Sequence, residues 1–118
     1  MKITKKIKLQ QTSNAFGVDS LHAMEGMFTF SFCGDNSFVT FGNEKIEEKH
    51  IDGWKTVYKP KEHKARFNGK NYSCKGKRNL SNGRVFNWRV VFYTNTKNSD
   101  FNLGVCGKGF ANLKTWIS

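Results

Sequence analysis

In the segment MFTFSFCGDNSFVTFGN, Phe28, Phe30 and Phe32 alternate with Thr29 and Ser31. Residues two apart share a face of an extended chain, so this spacing predicts a strand with an aromatic side to bury. Gly34-Asp35-Asn36 supplies the turn and Ser37–Phe41 returns, which completes a hairpin. The run RVFNWRVVFYTN repeats the logic: Phe86, Trp88, Val90 and Phe92 share one face, and Val85, Asn87, Arg89, Val91 and Tyr93 share the other.

Two Asn-Gly pairs, Asn68-Gly69 and Asn82-Gly83, lie ahead of this run, and Asn-Gly favours the φ > 0 turn of a two-residue hairpin. Turned at Asn68-Gly69, the chain places Phe67 opposite Lys70, Ala65 opposite Tyr72 and His63 opposite Cys74. One face then carries His63, Ala65, Phe67, Tyr72 and Cys74, and the other carries Lys64, Arg66, Asn71, Ser73 and Lys75. The same two-residue rule at Asn82-Gly83 puts Trp88 on the face of Lys75 and Lys77. A bulge near Gly76 is therefore expected, to return the apolar row to the core.

Three segments predict short helices. Asp19–Glu25 has an N-cap residue and Gly26 behind it. Asn43 caps EKIEEKHI, with acids in the first turn and Lys49-His50 in the last, closed by Gly53 with Trp54 docking back on the sheet. FANLKTWIS spaces Phe110, Leu113 and Ile117 as a helix face. Residues 94–109, including the Gly-rich GVCGKG, predict a loop with at most one short strand. The expected fold is one β-rich α+β domain over residues 1–118: antiparallel hairpins and a meander, as an open sheet or small barrel, with one or two short helices. The 17 aromatic residues (11 Phe, 3 Trp, 3 Tyr) suit such a sheet.

Charge divides the chain unevenly. Residues 1–54 carry six Lys and seven acids, whereas residues 55–118 carry fourteen Lys/Arg and two acids. Charge kept only for solubility needs no such separation, so the basic meander within residues 55–93 implies an anionic partner. The opening MKITKKIKLQ leads into QQTSNAFG and not into an apolar run, and no stretch nears the ~20 apolar residues of a membrane span. Three dispersed cysteines, Cys33, Cys74 and Cys106, fit reduced thiols and a cytoplasmic setting, with no membrane partner. Sixteen Lys and twelve Asn suit AT-rich coding of the kind found in small viral or mobile-element genes.

The leading expectation is a non-enzymatic module that binds a polyanion, foremost single-stranded DNA or RNA. Lys64, Arg66, Lys70, Lys75, Lys77, Arg78, Arg84 and Arg89 would meet phosphates, and Tyr72 or Trp88 would stack on a base if exposed. The same cations would serve a viral or mobile-element accessory protein that inhibits a host factor by gripping its acidic surface. A second alternative is a metal-independent ribonuclease using His50 and His63, which requires folding to bring the two together. No cofactor is expected, since GVCGKGF lacks the phosphate-loop pattern. No metal is expected either: His63 and Cys74 approach each other, but no paired ligand spacing completes a site.

Overall fold

The computed structural model describes residues 2–13, 19–94 and 108–118. Nine strands make up the order: β1 Ile3–Ser13, β2 Asp19–Glu25, β3 Phe28–Phe32, β4 Phe38–His50, β5 Gly53–Lys64, β6 Arg66–Phe67, β7 Tyr72–Asn79, β8 Val85–Thr94 and β9 Lys108–Ile117. They form one antiparallel sheet in the order β5-β4-β3-β2-β1-β9-β8-β7-β6. The two ends of that order are adjacent in the chain. Only Ala65 separates β5 from β6, so one extended segment pairs with β4 before this residue and with β7 after it. The Ala65 N–H donates to the Ser37 carbonyl at 2.8 Å, which pins the corner. The sheet thereby curls into a nearly closed barrel, and a seam stays unpaired between β5 and β7.

Alternation decides what fills the barrel. Phe28, Phe30, Phe32, Val39, Phe41, Trp88, Val90 and Phe92 all point inward and are buried, joined by Ile7, Leu9, Leu21, Ala111 and Leu113. The rings pack edge to face and offset: Phe28 on Trp88 at 5.6 Å and 76°, Phe32 on Tyr72 at 5.4 Å and 79°. Fully burying one such side chain contributes roughly 1.5–3 kcal/mol. The two Phe-rich runs thus form the hairpin walls that their period predicts.

None of the three predicted helices forms, and the described residues contain strands, turns and bends but no helix. The domain is β-rich but not α+β. Asp19–Glu25 is β2, paired with both β1 and β3. The FANLKTWIS segment is β9, held on both sides by β1 and β8; Ala111 and Leu113 point inward, so strand period overrides the i, i+3 spacing of Phe110 and Leu113. EKIEEKHI extends β4, and its charges are satisfied across strands, Glu48 by Lys59 and Glu47 by Thr56 Oγ1. Helix propensity is a weak preference, and a β-prone partner strand, GWKTVYK, outweighs it here. Asn43 is no helix cap. It takes φ 55° within a bulge between Phe41 and Glu44, a left-handed conformation that Asn tolerates better than most residues. Trp54 does not dock on the sheet but stands 68% exposed.

The expected bulge at Gly76 is also absent. The β7–β8 ladder runs without interruption from Tyr72↔Phe92 through Gly76↔Trp88 to Asn79↔Val85. The parity change lies in the turn. Leu80 and Arg84 close a three-residue loop through Leu80 N to Arg84 O at 2.8 Å, and Gly83, at φ 80°, donates to the Leu80 carbonyl at 3.2 Å. This is a type I turn with a left-handed glycine after it, one residue longer than the loop Asn-Gly usually makes. Gly76 serves another purpose, because a Cβ there would lie 2.3 Å from the Trp88 ring and only glycine lets that indole cross the backbone of β7.

At the other pair, Asn68 caps the turn instead of occupying its centre. Its N–H bonds Asn71 O at 3.0 Å, and its side-chain oxygen accepts from Lys70 N and Asn71 N. Gly69, at φ 93°, takes the first central position, and Phe67 pairs with Tyr72. The register moves by two residues relative to expectation, so the faces are kept. Ala65 and Tyr72 are buried with His63 and Cys74 beside them, while Lys64, Arg66 and Lys75 are exposed.

Candidate polyanion interface

The outer face of the barrel is read by following the register. Lys75 on β7 lies opposite Arg89 on β8, and Arg89 opposite Lys114 on β9. These three exposed cations form one row across neighbouring strands that are about 4.8 Å apart. The rows on either side add Lys77 near one end and Lys6 and Lys8 of β1 at the other. Strands β1, β7, β8 and β9 contain no Asp or Glu at all. Like charges placed directly opposite destabilise a sheet, so this row is maintained against a cost that folding alone does not require.

Rings lie among the cations. Tyr93 and Phe110 are register partners stacked at 5.0 Å and 18°, both half-buried on the outer face. The ammonium of Lys6 stands 4.3 Å over Phe110, and that of Lys2 5.5 Å over the half-buried Trp116. Such rings offer faces on which unpaired bases can stack.

The same surface turns into the seam. Lys64, Arg66, Lys75 and Arg89 line a cleft of about 660 Å³ between β5 and β7, with Glu62, Ser73, His63 and Cys74 as its other walls. A neighbouring cleft of about 380 Å³ is bounded by Lys45, Tyr58 and Lys61 on one side and by Lys77, Arg78 and Asn79 on the other. None of Lys61, Lys64, Arg66, Lys75, Lys77, Arg78 and Arg89 makes an ion pair among the described residues. Several acids are engaged elsewhere, Glu25 by Lys5, Asp52 by Lys55 and Asp35 by the Tyr72 hydroxyl at 2.8 Å, whereas Glu62 lies in the first cleft among the cations.

Beneath the clefts His63 Nε2 meets Glu44 Oε2 at 2.6 Å, a pair mostly withdrawn from solvent. The His63 ring stands edge-on to Trp88 at 4.8 Å and 87°. Burial pushes the Cys74 thiol up to about 12, far from the thiolate form. Along the arm formed by the outer halves of β4 and β5, the Lys59 ammonium beside Glu48 holds that carboxyl below its usual range.

The expected site residues therefore divide. Lys64, Arg66, Lys75, Lys77, Arg78 and Arg89 converge on the seam and its outer border. Lys70 and Arg84 sit in the turns at opposite ends of β7. Tyr72 and Trp88 are buried in the core, so neither presents a ring to a base. His50 pairs with Gly53 near the tip of the arm, ten residues along β5 from His63. That span is about 30 Å of extended chain, so the two histidines do not share a site. His63 and Cys74 do line one cleft, but among the described residues no group of three His, Cys, Asp or Glu could hold a metal. Cys106 and residues 104–107 of the GVCGKG segment lie outside the described residues, and its last two residues, Lys108 and Gly109, begin β9.

The residues that sequence reasoning passed over are Lys2, Lys6, Lys8, Lys114, Tyr93, Phe110 and Trp116. Their signal was present in KKIKL, where lysines flank the alternating Ile7 and Leu9. A count by chain halves hid it, because β1 belongs by pairing to the basic half. No family model, curated protein or solved structure matches the chain.

Proposed function

We propose that the chain is a binding module for single-stranded nucleic acid, which lies along the outer face of β1, β9, β8 and β7 and reaches into the seam beside β5. Phosphates meet Lys75, Arg89, Lys114, Lys77, Arg66 and Lys64, and Tyr93, Phe110 and Trp116 offer stacking faces. The observation that carries this reading is the Lys75–Arg89–Lys114 row across β7, β8 and β9, which together with β1 hold no acid. Contacts of this kind grip the backbone and carry little sequence information. Phosphate contact releases counterions, which fixes the test. Binding through six phosphates of a single strand gives a log–log salt slope of about −4, and Arg89→Ala lowers its magnitude by about 0.7. A clean absence of binding to DNA and RNA homopolymers at low salt rules the proposal out. Capture of an acidic protein that survives nuclease treatment, without homopolymer binding, would assign the same face to a protein partner.

A further inference from the structure

The outer halves of β4 and β5 leave the barrel as a two-stranded arm. It begins after the Phe41/Glu44 bulge and runs through seven rungs from Glu44↔Lys59 to His50↔Gly53, about 20 Å of ladder. Its two faces differ. One carries Glu44, Ile46, Glu48, Val57 and Lys59, tied together by the Glu48–Lys59 pair and the Ile46↔Val57 rung. The other presents Trp54 and Tyr58, 68% and 67% exposed, set about 13 Å apart on the same side of β5. Each ring has a lysine directly opposite, Lys49 for Trp54 and Lys45 for Tyr58, and Glu47, held by the Thr56 hydroxyl, lies between the two lysines on the same face. The two rings thus stand on one exposed face of a thin hairpin.

The occupant follows from position and charge. Tyr58 and Lys45 form one wall of the 380 Å³ cleft whose opposite wall is Lys77 and Arg78. The arm's ring face is therefore continuous with the cationic sheet, and each ring is paired with a cation, as base stacking beside phosphate neutralisation requires. We infer that Tyr58 and Trp54 form a second stacking platform for the same strand, which passes from the Lys77 edge of the sheet across the cleft and out along the arm. This rests on the nucleic-acid reading and extends the footprint to a part of the molecule that the sheet alone does not need.

The test compares a deoxythymidine oligonucleotide, which has bases, with inorganic polyphosphate, which has only charge. Tyr58→Leu and Trp54→Leu each weaken oligonucleotide binding about tenfold, leave polyphosphate binding unchanged, and Tyr58→Phe restores the wild-type value. If both leucine variants bind the oligonucleotide like wild type, the arm platform is overturned while the sheet site stands. If they weaken both probes equally, the rings do not stack and the platform is again overturned. If wild type binds polyphosphate but no oligonucleotide of DNA or RNA, both readings fall together. Both rings are exposed, so melting temperatures within error of wild type confirm that folding is untouched.

Discussion

Strands β4 and β5 cross two environments within one continuous hairpin, and the contrast separates what builds the molecule from what it presents. On the barrel side of the Gly42-Asn43 bulge, β4 buries Val39 and Phe41 against the aromatic interior. Beyond it the same strand carries Glu44, Ile46, Glu48 and His50 on that side, and the apolar mass moves to the opposite, exposed face as Trp54 and Tyr58. The barrel half is held by packing against the aromatic interior. The arm half is held by cross-strand pairs that water can largely replace.

By that division, substitutions that reach the barrel interior, from whichever strand, dominate stability. Trp88→Ala removes the largest fully buried side chain and costs about 3–5 kcal/mol, read from chemical denaturation. Gly76→Val is expected to be similarly severe, because its Cβ cannot avoid the indole. A stable, wild-type-like Gly76→Val protein would break the comparison at its strongest point.

The thiol of Cys74 gives a pH signature of the same interior. Its folded pKa is raised from 9.0 to about 12, so the unfolded chain ionises first. The contribution is intact below about pH 9 and is lost as pH rises from there towards 12. Cys74→Ala should flatten that alkaline loss, and alkylation of native Cys74 at pH 8 should be far slower than in denaturant.

At the boundary the effects are smaller. Glu44→Ala leaves His63 without its partner and is expected to cost about 1–3 kcal/mol. Asn43→Val forces a β-branched residue to φ 55° and should cost about 1–2 kcal/mol. On the arm, Trp54→Ala should stay within about 0.5 kcal/mol of wild type. A large loss there would mean that the arm's ring face is structural, not free.

How much of this was legible in the sequence differs by region in a way that physics explains. The Phe28-Phe30-Phe32 and Phe86–Phe92 strands were plain because period 2 and burial coincide. The three predicted helices failed because each segment's local signals, a cap, a charged face or an i, i+3 apolar spacing, do not register the partner strand that settles the matter, as GWKTVYK does for EKIEEKHI. The two Asn-Gly pairs read alike and fold differently: Gly69 is the first central residue of a two-residue turn, and Gly83 follows a type I turn. At the site, the cations of residues 64–78 were visible from composition. The contribution of β1 and β9 was not, because it depends on two strands from opposite ends of the chain pairing side by side.

Closure also bears on how the chain tolerates changes of length. Surface loops are normally where insertions and deletions do least harm. Ser81-Asn82-Gly83 is an exception, since its odd number of residues sets which side of β7 faces the interior while β8 keeps its place. Removing one residue from that loop would exchange Lys75 and Lys77 for Cys74 and Gly76, sending the charges into the aromatic core and taking the space that Trp88 uses. A solvent-exposed hairpin tip is thus as constrained in length as the core is in volume.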